Sequence, residues 1–394
     1  KTASGNVTVK GGEKFHLVAT TANMGSLKGK YAITSNFPLD FHAMLLKLES
    51  SQDIGFGYYT DSADLQITVD WPEEAVIEIT KKDGDTGKNL AGAVYGVYSD
   101  NACTKLIAKM PPTDSNGSSR VTLTKTQDTV YLKEITAPEG YVVQASSYGV
   151  KLVVGSTTKQ TVTDKEQKGN LTVYKEGEVF VGAVSDENGT SFQYEKRRQK
   201  GAVYNVYAAE DIVTAGGKTV YKKGAEVAKN LITGENGSVT VKNLPLGSYN
   251  VTEAQAPENF YNAKETKKVT ISYAGQTAEA AFSETTFTND RQKAVVQVIK
   301  KDKDTENTLS GGHFALFAAQ DMKTVDGKVA VKKDALIETA ITGTDGKAAF
   351  KADLPVGFSY YVKEVQAPAG YVRNEKDTYS FQFSYCLLYT SDAA

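Results

Sequence analysis

Cysteine is nearly absent from this chain of 394 residues, which contains only Cys103 and Cys386. Two cysteines in distant parts of the chain cannot form the disulfide framework that stabilises many small secreted domains. Histidine is equally scarce, and His16, His42 and His313 lack the spacing of metal ligands. We therefore expect no metal site and no cofactor, and an extracellular protein of this composition needs another source of covalent stability.

Long apolar segments and an excess of one charge are also missing. The 45 Lys and Arg residues nearly balance the 47 Asp and Glu residues, so no strong basic field exists to attract nucleic acid or anionic lipid. No apolar run is long enough to cross a bilayer, and the chain starts without Met or a signal-type segment. We expect no nucleic-acid partner, no membrane span, and a mature piece or fragment of a longer protein.

The residues that are abundant favour β structure. The chain has 22 Tyr and 34 Gly but only nine Pro, together with many Val and Thr. Segments such as VIEITK (76–81) and SVTVKNL (238–244) alternate apolar and polar residues with the period of two that is typical of strands. Asn-Gly and Asp-Gly pairs between such segments are typical of hairpin turns. The sequence predicts an all-β protein built from sandwiches of short strands.

One pattern occurs three times and indicates the domain organisation. Each copy has an alternating strand that ends in Lys, then a Gly-containing second strand, and later a Glu-x-x-Ala-Pro turn. The first strands are VIEITKKD (76–83), NLTVYKEG (170–177) and VVQVIKKD (295–302), and the Pro turns lie at 134–141, 253–260 and 364–371. We predict module 1 at 76–167, module 2 at 168–292 and module 3 at 293–394. Residues 176–200 are an insertion in module 2 that should form an added hairpin.

Strand parity directs charged side chains into each interior. Side chains at i and i+2 share one face of a strand, so each strand-terminal Lys shares the face of the apolar residues before it. The Glu before each Pro turn and the Asp or Asn of each closing strand follow the same rule. The inward residues are Lys81, Glu134 and Asp164 in module 1, Lys175, Glu253 and Asn289 in module 2, and Lys300 and Glu364 in module 3. The pattern predicts that these groups meet in an apolar core.

Two explanations fit such a cluster, because burying isolated charges costs roughly several kcal/mol each. The first is a Lys–Glu ion pair whose Lys stem extends toward water. The second is a covalent amide between the Lys and the Asp or Asn, promoted by a protonated Glu, since burial favours the neutral amine and the neutral acid. The residues alone leave both explanations open.

The combined motifs resemble the CnaB-type (SpaA-like) isopeptide-forming modules of Gram-positive pilins and surface adhesins. The resemblance rests on the Lys-x-Asp at 81–83 and 300–302, the second strand of LAGA type, the Glu-x-x-Ala-Pro-x-x-aromatic segments and the closing apolar-x-Asp/Asn. It covers about four fifths of the chain. The resemblance implies tandem immunoglobulin-like sandwiches in which Lys81 is joined to Asp164 and Lys175 to Asn289. It also assigns a catalytic role to Glu134, Glu253 and Glu364.

Module 3 departs from this pattern because it has no clear acceptor. The acceptor follows the Glu by 30 residues in module 1 and 36 in module 2, which would place it near residues 394–400 in module 3. The tail CLLYTSDAA (386–394) breaks the strand pattern, and we interpret it as a truncation or a sequencing artefact. Asp392 is a poor substitute, so we expect no bond at Lys300.

Residues 1–75 match none of the repeat and predict a small, incomplete β domain with strands in the segments 6–21, 29–36 and 64–71. The absence of Cys there excludes thioester chemistry in this portion. Its role stays open.

The resemblance implies an extracellular structural stalk at the cell surface or cell wall, in an adhesin or a pilus subunit. Catalysis would be limited to a single turnover that forms each bond within the chain. The expected partners are a host or matrix ligand of unknown identity, and cell wall or pilus subunits joined by sortase. The alternatives are a polymerising pilus shaft subunit and spacer modules of a surface enzyme.

Overall fold

The structure is a computed structural model, and it confirms the all-β prediction. It describes the strands at 2–9, 14–19, 31–35, 52–58 and 63–70, and the continuous segment 74–383. Throughout these residues the regular elements are strands and turns, without a helix. None of this part of the chain therefore forms a helix long and apolar enough to span a membrane.

The five N-terminal strands form two small antiparallel sheets, with the orders β1-β5-β3 and β2-β4. The segments 6–21, 29–36 and 64–71, in which strands were predicted, overlap β1, β2, β3 and β5. Strand β4 was not predicted. The bounds are β1 (Thr2–Val9), β2 (Lys14–Ala19), β3 (Tyr31–Ser35), β4 (Gln52–Tyr58) and β5 (Ala63–Asp70).

Module 1 is a sandwich of a three-stranded and a four-stranded sheet, with the orders β12-β6-β9 and β11-β10-β7-β8. Its first strand, β6, alternates strictly between buried and partly exposed residues, and its inward face packs against Leu132 and Val97 of the other sheet. The strands are β6 (Glu74–Asp83), β7 (Val94–Tyr98), β8 (Leu106–Lys109), β9 (Ser118–Thr124), β10 (Thr129–Thr136), β11 (Ser147–Lys151) and β12 (Thr157–Asp164).

Module 2 has the same arrangement, with its first strand between the closing strand and β19 and a second sheet of order β18-β15-β20-β21. The strands are β13 (Lys168–Asp186), β14 (Gly189–Arg198), β15 (Val203–Ala208), β16 (Ile212–Val213), β17 (Thr219–Tyr221), β18 (Glu226–Ile232), β19 (Ser238–Pro245), β20 (Gly247–Gln255), β21 (Thr266–Ile271) and β22 (Ala280–Asn289).

Module 3 repeats the four-stranded sheet as β27-β24-β29-β30, but its first strand pairs with β28 alone among the described strands. The strands are β23 (Val296–Ile299), β24 (His313–Ala318), β25 (Met322–Lys323), β26 (Val329–Val331), β27 (Leu336–Ile341), β28 (Lys347–Phe350), β29 (Ser359–Gln366) and β30 (Thr378–Gln382). The segment 386–394, which we interpreted as an atypical tail, lies outside the described residues.

The insertion of module 2 forms the expected hairpin, because β13 runs on past Lys175 and turns back as β14. The hairpin contributes to the core of module 3, where Phe180 is buried and its ring lies 5.9 Å from that of Phe358. Thr190 and Tyr194 of the hairpin donate hydrogen bonds to backbone carbonyls of module 3, at 2.7 Å and 2.6 Å. Modules 2 and 3 belong to one compact unit, and module 1 lies in another.

We expect Phe180→Ala to destabilise module 3, although residue 180 belongs to module 2. Truncation of a buried Phe typically costs about 3 to 5 kcal/mol. Hydrogen exchange of β24 and β29 should therefore accelerate in the variant. Phe282→Ala is the matched control, because Phe282 is 78% exposed. Equal exchange rates in the two variants would contradict a core role for the hairpin.

Candidate functional sites: buried lysine clusters

The inward lysine of each first strand is held in place by a glycine turn. In each module, the backbone N–H of the Lys donates to a glycine carbonyl, with distances of 2.7, 2.9 and 2.8 Å in modules 1, 2 and 3. The glycines have positive φ values near 70°, which other residues adopt only with strain. The pairs are Lys81 with Gly117, Lys175 with Gly237 and Lys300 with Gly346. The Asn-Gly and Asp-Gly turns of the sequence therefore position the lysines.

In module 1 the structure brings all three predicted residues into contact. Lys81 Nζ lies 2.7 Å from Glu134 Oε1 and 2.5 Å from Asp164 Oδ1, and these three side chains are fully buried. Lys81 also donates to the hydroxyl of Tyr95 at 2.9 Å. Glu134 uses its second oxygen to accept the backbone N–H of Gln144 at 2.8 Å. The amine is thus surrounded by three acceptors in an apolar core.

The strand register brings Asp164 to Lys81. Strands β6 and β12 are parallel, with Lys81 opposite Val162 and Asp83 opposite Asp164. Burial raises the pKa of Asp164 to about 7, and this effect outweighs the lowering by the nearby Lys81. Burial also raises the pKa of Tyr95, so its hydroxyl stays neutral. Burial therefore favours the neutral form of a carboxyl group that lies directly beside the amine.

Module 2 brings its three predicted residues together in a different pattern. Lys175 Nζ lies 2.7 Å from Glu253 Oε1, and the Asn289 side-chain amide donates to Glu253 Oε2 at 2.7 Å. Burial lowers the pKa of Lys175 against the opposing effect of Glu253. The register matches that of module 1, since Lys175 lies opposite Phe287 and Gly177 opposite Asn289. Glu253 therefore contacts both the amine and the amide.

Module 3 brings together only two groups. Lys300 Nζ lies 3.0 Å from Glu364 Oε1 and 3.2 Å from Oε2, and the Lys side chain is 26% exposed. Among the described residues, no Asp or Asn side chain contacts this amine. Asp392, the sequence candidate that we expected to fail, lies outside the described residues.

A second buried hydrogen bond beside the lysine was missed by the sequence analysis. In module 1 the Tyr141 hydroxyl donates to Asp83 at 2.7 Å, and the other oxygen of Asp83 accepts backbone and hydroxyl groups of the following turn. Burial raises the pKa of Asp83, but the bonds from Tyr141 and Thr86 outweigh it and keep the pKa low. Asp83 therefore caps the turn that follows it.

The same hydrogen-bonded pair recurs in module 3, where Tyr371 donates to Asp302 at 2.8 Å. In module 2 both members of the pair are replaced. There Gly177 takes the place of the Asp, and a Cβ at residue 177 would clash with the ring of Phe260. Module 2 has Glu-Gly at 176–177 after its Lys, where modules 1 and 3 have Lys-Asp, and this change is matched by the aromatic residue that ends the Pro turn. Comparing both positions across the three repeats would have revealed this pairing.

Tyr95 was also missed. It lies directly opposite Glu134 across strands β7 and β10, where the equivalent pairs are Tyr204 with Glu253 and Phe314 with Glu364. The aromatic residue in AVYGVY, AVYNVY and GHFALF was the available signal. Module 3 lacks this hydroxyl as well as a described acceptor.

These features define tandem β-sandwiches with a lysine on, or directly after, the first strand of each module. The sequence matches the SpaA model for prealbumin-like fold domains at residues 75–167, 188–286 and 294–385. The chain belongs to this family. The second matched segment starts within the insertion and excludes Lys175 and Asn289, so the module boundaries and the roles of these residues stay predictions.

Comparison with solved structures finds similar chains of low identity. The Bacillus anthracis TIE protein is 20% identical, and the match covers 95% of this chain and 72% of that one, with a TM-score of 0.49. BcpA, the major pilin subunit of Bacillus cereus, is 16% identical over 79% of this chain and 93% of that one, with a TM-score of 0.29. A streptococcal ancillary pilin is 18% identical over 80% and 97%, with a TM-score of 0.25. A search of curated protein sequences found no significant match.

We expect Tyr141→Phe to destabilise module 1 more than Tyr371→Phe destabilises module 3. Tyr141 is 1% exposed, so its loss leaves a buried carboxylate oxygen without its donor, at a cost of about 1 to 3 kcal/mol. Tyr371 makes the same bond but is 43% exposed, and water can replace its hydroxyl. Hydrogen exchange at the turns following Asp83 and Asp302 would measure the difference. Equal effects would show that burial of this bond is unimportant.

Proposed function

We propose that this protein is a structural stalk of a Gram-positive cell-surface adhesin or pilus subunit, crosslinked within modules 1 and 2 by amide bonds. Membership of the SpaA family supports a pilin-like structural role at the cell surface. The observation that carries the crosslink is the contact of the Lys81 amine with Asp164 and Glu134 inside an apolar core.

In module 1 the amine lies directly beside the carboxyl group that it would attack, and in module 2 Glu253 contacts both the amine and the amide that would react. In module 1, the Lys81 amine attacks Cγ of the Asp164 carboxyl group, the new C–N bond forms, and one C–O bond breaks to release water. In module 2, Lys175 attacks Cγ of Asn289 and ammonia leaves. The Glu accepts the proton from the amine and returns it to the leaving group. Each step balances without an oxidant or a cofactor.

The raised pKa of Asp164 and the lowered pKa of Lys175 both favour this reaction. Each shift increases the neutral form that the chemistry needs, and burial is the largest cause in both cases. The ion-pair alternative uses the same contacts without a bond, so the mass of the chain distinguishes the two explanations.

The position of the bonds suits a load-bearing stalk. Lys81 and Asp164 lie on adjacent parallel strands, the first and last of module 1, and Lys175 and Asn289 have the same relation in module 2. A pull on both ends of a module would run through the amide instead of separating the strands. On the chain-entropy model used for disulfides, closing a loop of this size adds about 4 to 5 kcal/mol of stability.

Intact-mass measurement tests the bonds directly. We expect the purified chain to be lighter than its sequence by one water and one ammonia, with branched tryptic peptides that join Lys81 to Asp164 and Lys175 to Asn289. Glu134→Gln and Glu253→Gln are the matched controls, because the amide keeps the shape of the side chain but cannot shuttle a proton. Each should remove one of the two losses. An unmodified mass would leave the ion-pair explanation.

A variant without the acceptor should show how pH acts on a free Lys175. In Asn289→Ala the amine titrates, and its folded-state pKa lies below its ordinary value of 10.5. The unfolded state then binds more protons between these two pKa values, so the stability of module 2 should rise with pH across that window. Urea unfolding at several pH values measures it. The double variant with Lys175→Met should lose this rise, and an unchanged rise would assign it to other groups.

A further inference from the structure

Two buried carboxyl groups lie side by side near the buried lysine of module 1. Asp83 and Asp164 are partners in the ladder between the parallel strands β6 and β12, and each is 1% exposed. Asp83 follows Lys81 by two positions, so its side chain lies on the same inward face of the strand. Because neighbouring strands are only about 4.8 Å apart, ionisation of one carboxyl group disfavours ionisation of the other.

Hydrogen bonds decide which of the two groups carries the charge. Asp83 accepts two backbone N–H groups of the following turn and the hydroxyls of Thr86 and Tyr141. Burial raises the pKa of Asp83, yet these bonds outweigh burial and hold the pKa below its ordinary value of 3.8. Asp164 contacts the Lys81 amine through Oδ1, and its Oδ2 has no hydrogen-bond partner among the described residues. The negative charge therefore stays on Asp83, and Asp164 is the member of the pair whose neutral form is favoured.

Module 2 has an Asn acceptor and no second carboxyl group beside it. Gly177 is the ladder partner of Asn289 and holds the place that Asp83 has in module 1. The carboxamide of Asn289 is neutral without the help of a neighbouring charge. The extra acid is thus present where the acceptor is itself an acid, and absent where the acceptor is an amide.

The other charges near the Lys175 amine lie on or beside the second sheet. Glu253 contacts this amine at 2.7 Å, as Glu134 contacts the amine of module 1. Lys267 and Glu265 shift the pKa of Lys175 in opposite directions, and they pair with each other at 3.4 Å. Because these two effects oppose each other, the extra carboxylate of module 1 is the main difference in charge between the clusters, apart from the acceptor itself.

A fixed negative charge has opposite consequences for the two kinds of acceptor. It destabilises a neighbouring carboxylate and stabilises a neighbouring ammonium. With an Asp acceptor, the first effect applies to the ladder partner itself and favours the neutral acid. With an Asn acceptor only the second effect remains, and it keeps the proton on the amine that must attack. The same charge therefore assists an Asp acceptor and hinders an Asn acceptor.

We propose that the residue two positions after the reactive lysine determines the acceptor, so that Asp83 selects Asp in module 1 and Gly177 selects Asn in module 2. The inference rests on the proposed function, since it concerns the rates of the same two amide bonds. In each bond the amine nitrogen joins Cγ of the acceptor, and an Asp releases water while an Asn releases ammonia. The Glu of the cluster carries the proton from the amine to the leaving group.

A double-mutant cycle at residues 83 and 164 of the full chain tests this inference. Asp83→Asn and Asp164→Asn each replace a carboxyl group by a carboxamide of the same shape. The chains are synthesised in a cell-free reaction, and samples are denatured at intervals after synthesis is stopped. Digestion and mass spectrometry then measure the fraction of Lys81 in the branched peptide, with the Lys175–Asn289 bond as the internal reference.

Each single variant should form the module 1 bond at least about tenfold more slowly, because a shift of one pKa unit changes the neutral fraction tenfold. Asp83→Asn removes the charge that assists the Asp acceptor. Asp164→Asn places an amide beside a charge that holds the amine protonated. The double variant should recover most of the parent rate and release ammonia in place of water. A purely structural role for Asp83 predicts instead that the two defects add.

Module 2 gives a second measurement that leaves the turn after the lysine unchanged. Asn289→Asp keeps the shape of the acceptor, but Gly177 supplies no charge to oppose its ionisation. This bond should form at least about tenfold more slowly than the parent bond. The Asn289→Asp variant decides the question if Asp83→Asn does not fold.

The outcomes also separate this inference from the proposed function. A rate equal to that of the parent chain in Asp164→Asn or in Asn289→Asp would overturn the inference and leave the proposed function standing. A double variant slower than both single variants would overturn the inference as well. Absence of both bonds from the parent chain would overturn the proposed function, and the inference with it.

Discussion

The interaction on which this structure depends is the burial of a lysine amine between the first and last strands of a sandwich. An ammonium group removed from water must be matched by acceptors or lose its charge. In module 1 the second sheet contributes Tyr95 and Glu134, and the closing strand contributes Asp164. All three side chains accept hydrogen bonds from the Lys81 amine. The glycine turn that accepts the Lys81 N–H helps to position this residue in the strand. Sheet order, turn and core composition thus serve one buried group.

The three modules show how far this arrangement can vary. Module 2 keeps its Lys, Glu and Asn but exchanges the Asp–Tyr bond beside them for Gly177 and Phe260, which pack where the bond would lie. Module 3 keeps the Asp302–Tyr371 bond in an exposed setting and leaves Lys300 with one partner among the described residues. In modules 1 and 2 the closing strand lies beside the first strand, and the lysine side chain is fully buried.

The core of module 3 also contains side chains from module 2. The hairpin that continues from Lys175 places Phe180 in the core of module 3. Part of that core therefore comes from a segment that lies more than a hundred residues before the end of β23. Tyr194 and Arg197 add polar contacts to Asp353 and Asp326. A module whose first strand has one described neighbour gains buried apolar area from the preceding module. Modules 2 and 3 consequently form one compact unit.

The sequence by itself determined the all-β class, the repeat and the inward direction of Lys81, Glu134 and Asp164, because strand parity and local turn residues depend only on neighbours in the chain. The tertiary structure decided what those residues touch. Tyr95 opposite Glu134, and Asp83 against Tyr141, join strands or turns separated by about forty to sixty residues, and a pattern of period two cannot specify such partners. The hairpin of module 2 shows the same difference between local and long-range structure, because its two strands were predictable from local sequence. Its destination in module 3 depends on side-chain packing, which only the folded chain determines.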